Sequence, residues 1–74
     1  MAKLGIIKDI DKGRGEIIRV ELSEYKGSTF LNIRVWYTDK EGEYKPTQKG
    51  VSFTLDQFED LKKAIEEAED KINS

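Results

Sequence analysis

The sequence predicts an α+β domain: an antiparallel meander of four strands followed by one long C-terminal helix. Three observations carry this prediction. Apolar and polar residues alternate with period two from residue 16 onward, glycine-bearing turns interrupt that alternation at short intervals, and after Thr54 the period changes abruptly to three and four.

Residues 1–15 hold an apolar patch at Leu4, Ile6, Ile7 and Ile10 and then the turn-rich DKGRG. They read as a short strand and a flexible link ahead of a domain at 16–74. In EIIRVELSEY, Ile18, Val20 and Leu22 alternate with Arg19, Glu21 and Ser23, the pattern of a half-buried strand. Lys26-Gly27-Ser28 supplies a tight turn. In TFLNIRVWY, Leu31, Ile33 and Val35 fall on one face, and Phe30, Asn32, Arg34 and Trp36 on the face expected to meet water. A second turn is centred on Gly42, followed by a short strand near Tyr44-Lys45. A last strand, GVSFTL, groups Val51, Phe53 and Leu55. Between these two, Pro46 and Gly50 restrict the backbone that carries Lys45 and Lys49, while Glu43 and Thr47 read as solvated connection.

The helix announces itself locally. Thr54 and Gln57 have the spacing of a capping box, and Asp56, Glu59 and Asp60 crowd the first turns, where the helix dipole favours negative charge. Phe58, Leu61, Ile65, Ala68 and Ile72 recur in steps of 3, 4, 3 and 4. Five turns at 1.5 Å per residue make a helix of ~27 Å. Glu59–Lys63, Lys62–Glu66, Lys63–Glu67 and Glu67–Lys71 are spaced for (i, i+4) ion pairs. A stripe this narrow suits helix-on-helix packing, so the same five apolar residues are the expected interface of a homodimer.

Composition points the same way. The chain has 74 residues, 36% hydrophobic and 38% charged, near the lower limit for a core that is stable alone. Domains this small usually need disulfides, a metal or a partner subunit. With neither cysteine nor histidine, disulfides, thiol chemistry and the usual zinc ligands are excluded, which leaves oligomerisation. There is no nucleophile–base pair to suggest an enzyme, and no cofactor or metal is expected. Neither a signal peptide nor a membrane-length apolar run is present, so the expectation is an intracellular, soluble protein.

The net charge of −2 is unevenly spread: residues 1–50 carry +2 and residues 51–74 carry −4. Screening confines each charge to ~8 Å at physiological salt, so local placement decides binding. Tyr25 and Lys26 at the first turn, Arg34 and Trp36 on the second strand, and Lys45 and Lys49 beyond it combine flat rings with cations. Single-stranded nucleic acid is bound by that combination, with bases on rings and phosphates on cations. The bland alternative is ordinary cross-strand pairing of aromatics. The N-terminal GIIKDIDKGRGEI resembles the opening hairpin of cold-shock proteins, but lacks their aromatics after Lys-Gly.

The order Tyr25-Lys26-Gly27, Ile33-Arg34-Val35-Trp36-Tyr37, Glu41-Gly42 and Lys45-Pro46-Thr47-Gln48-Lys49-Gly50, followed by a capped helix, resembles the C-terminal domain of the positive cofactor four family of transcriptional coactivators. The similarity runs from about residue 16 to residue 72. It implies a curved sheet dimerised through the helix, binding single-stranded or melted DNA with little sequence preference. It further implies DNA contacts at Tyr25, Lys26, Arg34, Lys49 and Tyr37, with Trp36 beside Tyr37 as the second candidate for stacking. Ser28 and Gln48 stand where the family often has cations, which should weaken phosphate binding. Only fifteen residues precede the match, where eukaryotic coactivators carry a long serine- and lysine-rich arm; this reads as a minimal version, prokaryotic or viral.

The expectation is therefore a homodimeric single-stranded DNA-binding protein serving transcription, replication or repair machinery. It would work in the cytoplasm or nucleoid of a prokaryote, or in the nucleus of a eukaryote. RNA as the ligand, and a protein–protein adaptor with weak nucleic-acid binding, are the alternatives.

Overall fold

Alternating strands joined by short turns produce the expected meander. The computed structural model describes residues 4–74, so the first three residues of the N-terminal segment lie outside it. The elements are β1 (Gly5–Gly13), β2 (Glu16–Tyr25), β3 (Ser28–Thr38), β4 (Tyr44–Phe53) and α1 (Leu55–Ile72). Every strand pairs antiparallel with its sequence neighbour, in the order β1-β2-β3-β4.

Four strands are present, but they are divided differently from the sequence expectation. The fourth strand is the N-terminal Gly5–Gly13, which the sequence marked as a short strand and link; it pairs with β2 from Gly5↔Leu22 to Gly13↔Glu16. Register shifts at Ile6/Lys8 and Asp11/Gly13 break its alternation, which is why period two was faint there. Conversely, the two short segments expected at 44–45 and 50–55 are one continuous β4, ending at Phe53 and leaving Leu55 as the first residue of α1. Pro46 is tolerated because β4 is an edge strand.

The β2–β3 hairpin closes through Lys26 and Gly27, both at positive φ (51° and 80°), with Tyr25 opposite Ser28. Positive φ at both central residues is the geometry whose twist matches that of the flanking strands. The turn fixes the whole register: Arg19 lies opposite Arg34, and Ile17 opposite Trp36.

Thr54 caps α1 as expected: its hydroxyl accepts from the Gln57 amide, and the Gln57 side chain accepts from the Thr54 amide. The helix contacts β3 and β4. Phe58, Leu61 and Ile65 face Val20, Leu31 and Ile33 across an apolar space of about 260 Å³. That contact is loose. Leu61 is half-buried, whereas Ile65 and Ile72 are 58% and 80% exposed, and Ile17 is the sole buried hydrophobic residue among those described. Among the described residues, none of the expected (i, i+4) helix pairs closes to ion-pair distance, in keeping with the small gain from exposed pairs. No helix of the described residues is long and apolar enough to cross a membrane.

Candidate nucleic-acid interface

Directly paired residues of antiparallel strands share a face, so the register sorts the candidates. Opposite the helix lie three rows: Asp9, Arg19, Arg34 and Gly50; Ile17, Trp36 and Pro46; and Glu21, Asn32 and Ser52. Tyr25 and Ser28 end the same face at the β2–β3 turn. Tyr37, opposite Lys45 and Glu16, lies on the helix side with Val20 and Ile33.

Two arginines placed directly opposite each other should repel. The structure gives each a separate partner. Arg19 forms a forked pair with Asp9, Nε to Oδ1 at 2.9 Å and Nη2 to Oδ2 at 3.1 Å. Its guanidinium sits 4.5 Å above the Trp36 ring and 5.5 Å from Tyr44, geometry in which the ring faces attract a cation. The hydrogen bond from Arg19 holds the Asp9 carboxyl below the ordinary carboxylate value. Arg34 turns the other way and donates from Nη1 to the Thr47 carbonyl at 2.8 Å.

Trp36 is consequently half-buried beneath Arg19, with its Nε1 enclosed and one ring face taken by the guanidinium. The exposed tyrosine rings are Tyr25, at 65%, Tyr44, at 44% and near Arg19, and Tyr37, at 43%. Tyr25 and Tyr37 each have a lysine nearby: the Lys26 ammonium lies 5.4 Å from the Tyr25 ring centre, and Lys45 is the cross-strand partner of Tyr37. At about 3.4 Å per residue these two rings stand roughly 30 Å apart along the sheet, so they form two stations rather than one cluster.

Lys45 is already engaged, 3.4 Å from Glu43 and 3.9 Å from Asp39. Asp39 organises this loop by accepting from the amides of Glu41 and Glu43, and those backbone donors, that of Glu43 foremost, lower its carboxyl pKa. The carboxylates of Asp39, Glu41 and Glu43 come within 4.8 Å of one another as a result. Lys49 differs: it is exposed and has no carboxylate partner among the described residues.

The sequence reading treated Thr47 as solvated connection, and the structure corrects this. Three residues of β4, Thr47 to Lys49, bulge out opposite the single Val35 of β3. Thr47 is half-buried; its hydroxyl donates to the Val35 carbonyl at 2.7 Å and accepts from the Lys49 amide at 3.1 Å. Gly50 is equally constrained, because a Cβ there would lie 2.9 Å from the Cβ, Cγ and Cζ of Arg34. Arg19 was also missed, although a signal existed: counting back from a two-residue turn at Lys26-Gly27 puts it opposite Arg34.

An open four-stranded antiparallel sheet backed by one capped C-terminal helix places the chain among small α+β domains of one recognisable fold. The family model described as Transcriptional Coactivator p15 (PC4) matches residues 12–64, and the chain belongs to that family. It is 42% identical over 59 residues to the RNA polymerase II transcriptional coactivator KELP of Arabidopsis thaliana, covering 76% of this chain but only 35% of that protein. Among solved structures, it resembles the bacteriophage T5 homologue of PC4, implicated in recombination-dependent DNA replication, with a TM-score of 0.80 and 27% identity over 97% of this chain and 83% of that one. It also resembles MoSub1, solved in complex with DNA, with a TM-score of 0.67 and 32% identity over 93% of this chain and 83% of that one.

Proposed function

We propose that the protein binds single-stranded DNA with little sequence preference, as a homodimer joined through α1, and that it has no catalytic activity. The observation that carries the reading is a set of exposed tyrosines, Tyr25 and Tyr37 each beside a lysine, on opposite faces at the two ends of the β2–β3 ladder, with Tyr44 near Arg19. A base stacked on such a ring gains ~1–3 kcal/mol whatever its identity. Tyr25 and Tyr37 stack; Lys26, Arg34, Lys45 and Lys49 meet phosphates; Trp36 supports the sheet beneath Arg19. Membership of the PC4 family and the DNA complex of MoSub1 support this choice of ligand.

Dimerisation follows from the uncovered stripe. Phe58, Leu61, Ile65, Ala68 and Ile72 lie along one side of α1, and its own sheet covers little of them. A second copy of the helix would fill the remaining apolar space. The role served, in transcription or in replication and repair, follows the partner machinery recruited inside the cell.

The test is a titration of labelled single-stranded DNA, RNA and duplex DNA at two salt concentrations, followed by anisotropy. Tight, salt-sensitive binding to single-stranded DNA is expected. Preference for RNA would replace the ligand. No binding to any of the three would favour a dimeric adaptor, a reading that draws on Arg19 and Lys45 already being paired with carboxylates.

A further inference from the structure

Lys49 sits on a bulge whose shape is set by uncharged groups. The Thr47 hydroxyl ties the bulge to β3 through the Val35 carbonyl and at the same time receives the Lys49 amide. The Thr47 carbonyl is held by Arg34, whose side chain lies flat over Gly50, where no Cβ fits. Three hydrogen bonds and one close approach therefore fix a three-residue excursion in an edge strand, a place where backbone is ordinarily free to fray. A lysine on a fixed backbone loses less conformational freedom when it meets a phosphate than one on a mobile loop.

We infer that Thr47 and Gly50 are positioning residues for nucleic-acid binding: they preorganise the bulge that presents Lys49 to a phosphate. This role rests on the single-stranded DNA reading above. It assigns a function to two residues with no charge and no ring.

Changes that leave every charge in place test it. Each phosphate contact with a single strand contributes about 0.7 to the slope of log affinity against log salt, or about fivefold in affinity between 0.1 M and 1 M salt. Lys49→Ala is expected to lower the slope by about 0.7. Thr47→Val is expected to lower it by the same amount although no cation is removed, and to add nothing in a Lys49→Ala background. Thr47→Ser, which keeps the hydroxyl, is expected to restore both affinity and slope. Gly50→Ala should weaken binding at least as much as Thr47→Val, because the added Cβ strikes the Arg34 side chain down to its Cβ. Thermal unfolding of each variant separates a local from a global change.

Wild-type binding with Thr47→Val indistinguishable from wild type, or with its effect multiplying that of Lys49→Ala, overturns the positioning role and leaves the DNA reading intact. Failure of the wild type to bind single-stranded DNA overturns both.

Discussion

Asp9, Arg19 and Trp36 show how one carboxylate can decide what an aromatic ring is free to do. Arg19 would otherwise stand beside Arg34 unpaired; Asp9 fixes it over Trp36, and one face of the ring is covered. Because the Asp9 carboxyl titrates below its ordinary value of 3.8, its contribution to stability is complete above that value and is lost as pH falls through the lowered one. Acid titration of the fluorescence of Trp36, the single tryptophan, should therefore show a transition below pH 3.8 that Asp9→Asn removes. On the proposed reading, Tyr37 stacks on bases and Trp36 does not. Tyr37→Ala should cost ~1–3 kcal/mol of single-stranded DNA affinity, equally for different base sequences, whereas Trp36→Phe should cost much less. A calorimetric or anisotropy titration with both variants checks this, and a larger loss from Trp36→Phe would reverse the assignment of the rings.

At the level of elements, the local signals were strong where the chain needs no distant partner. The Thr54–Gln57 box was legible because both of its hydrogen bonds close within four residues. Thr54→Ala should destabilise the fold by about 1 kcal/mol in denaturant unfolding, a shift in midpoint without a change of slope. The Lys26-Gly27 turn was legible for the same reason. Gly27 holds φ at 80°, so Gly27→Val should cost about 1–2 kcal/mol, measured in the same way. The two edge strands were harder to read. In β1 the register shifts at Ile6/Lys8 and Asp11/Gly13 break the alternation, and in β4 Pro46 and Gly50 look like strand breakers. Each is accommodated by something remote: Pro46 by the open edge, and Gly50 by the Arg34 side chain crossing it.

For the whole molecule, the decisive fact is how little a single chain buries. Ile17 alone among the described residues falls to 7% exposure, and the helix stripe runs from half-buried Leu61 to Ile72 at 80%. A homodimer whose stability comes from its interface has an unfolding midpoint that rises with protein concentration. That rise is expected in scanning calorimetry over a hundredfold range of concentration. Ile65→Glu should abolish it and give a monomer by sedimentation. In a monomer that is native by itself, the same substitution at a site 58% exposed would change little, so the variant discriminates.

By itself the sequence determined the meander, the β2–β3 turn, the capped helix and the coactivator-family motif. All of these rest on interactions between residues close in the chain or on a periodicity visible along it. Only the tertiary structure decided which cations remain available and which rings are open. Arg19 is engaged by Asp9, Lys45 by Asp39 and Glu43, and Trp36 lies half-buried beneath Arg19, while Lys49, with no carboxylate partner among the described residues, stands on a bulge that Thr47 and Arg34 hold. Those outcomes depend on strand register and on bulges, where a shift of one residue exchanges the faces of a strand, and no local pattern records where such a shift falls.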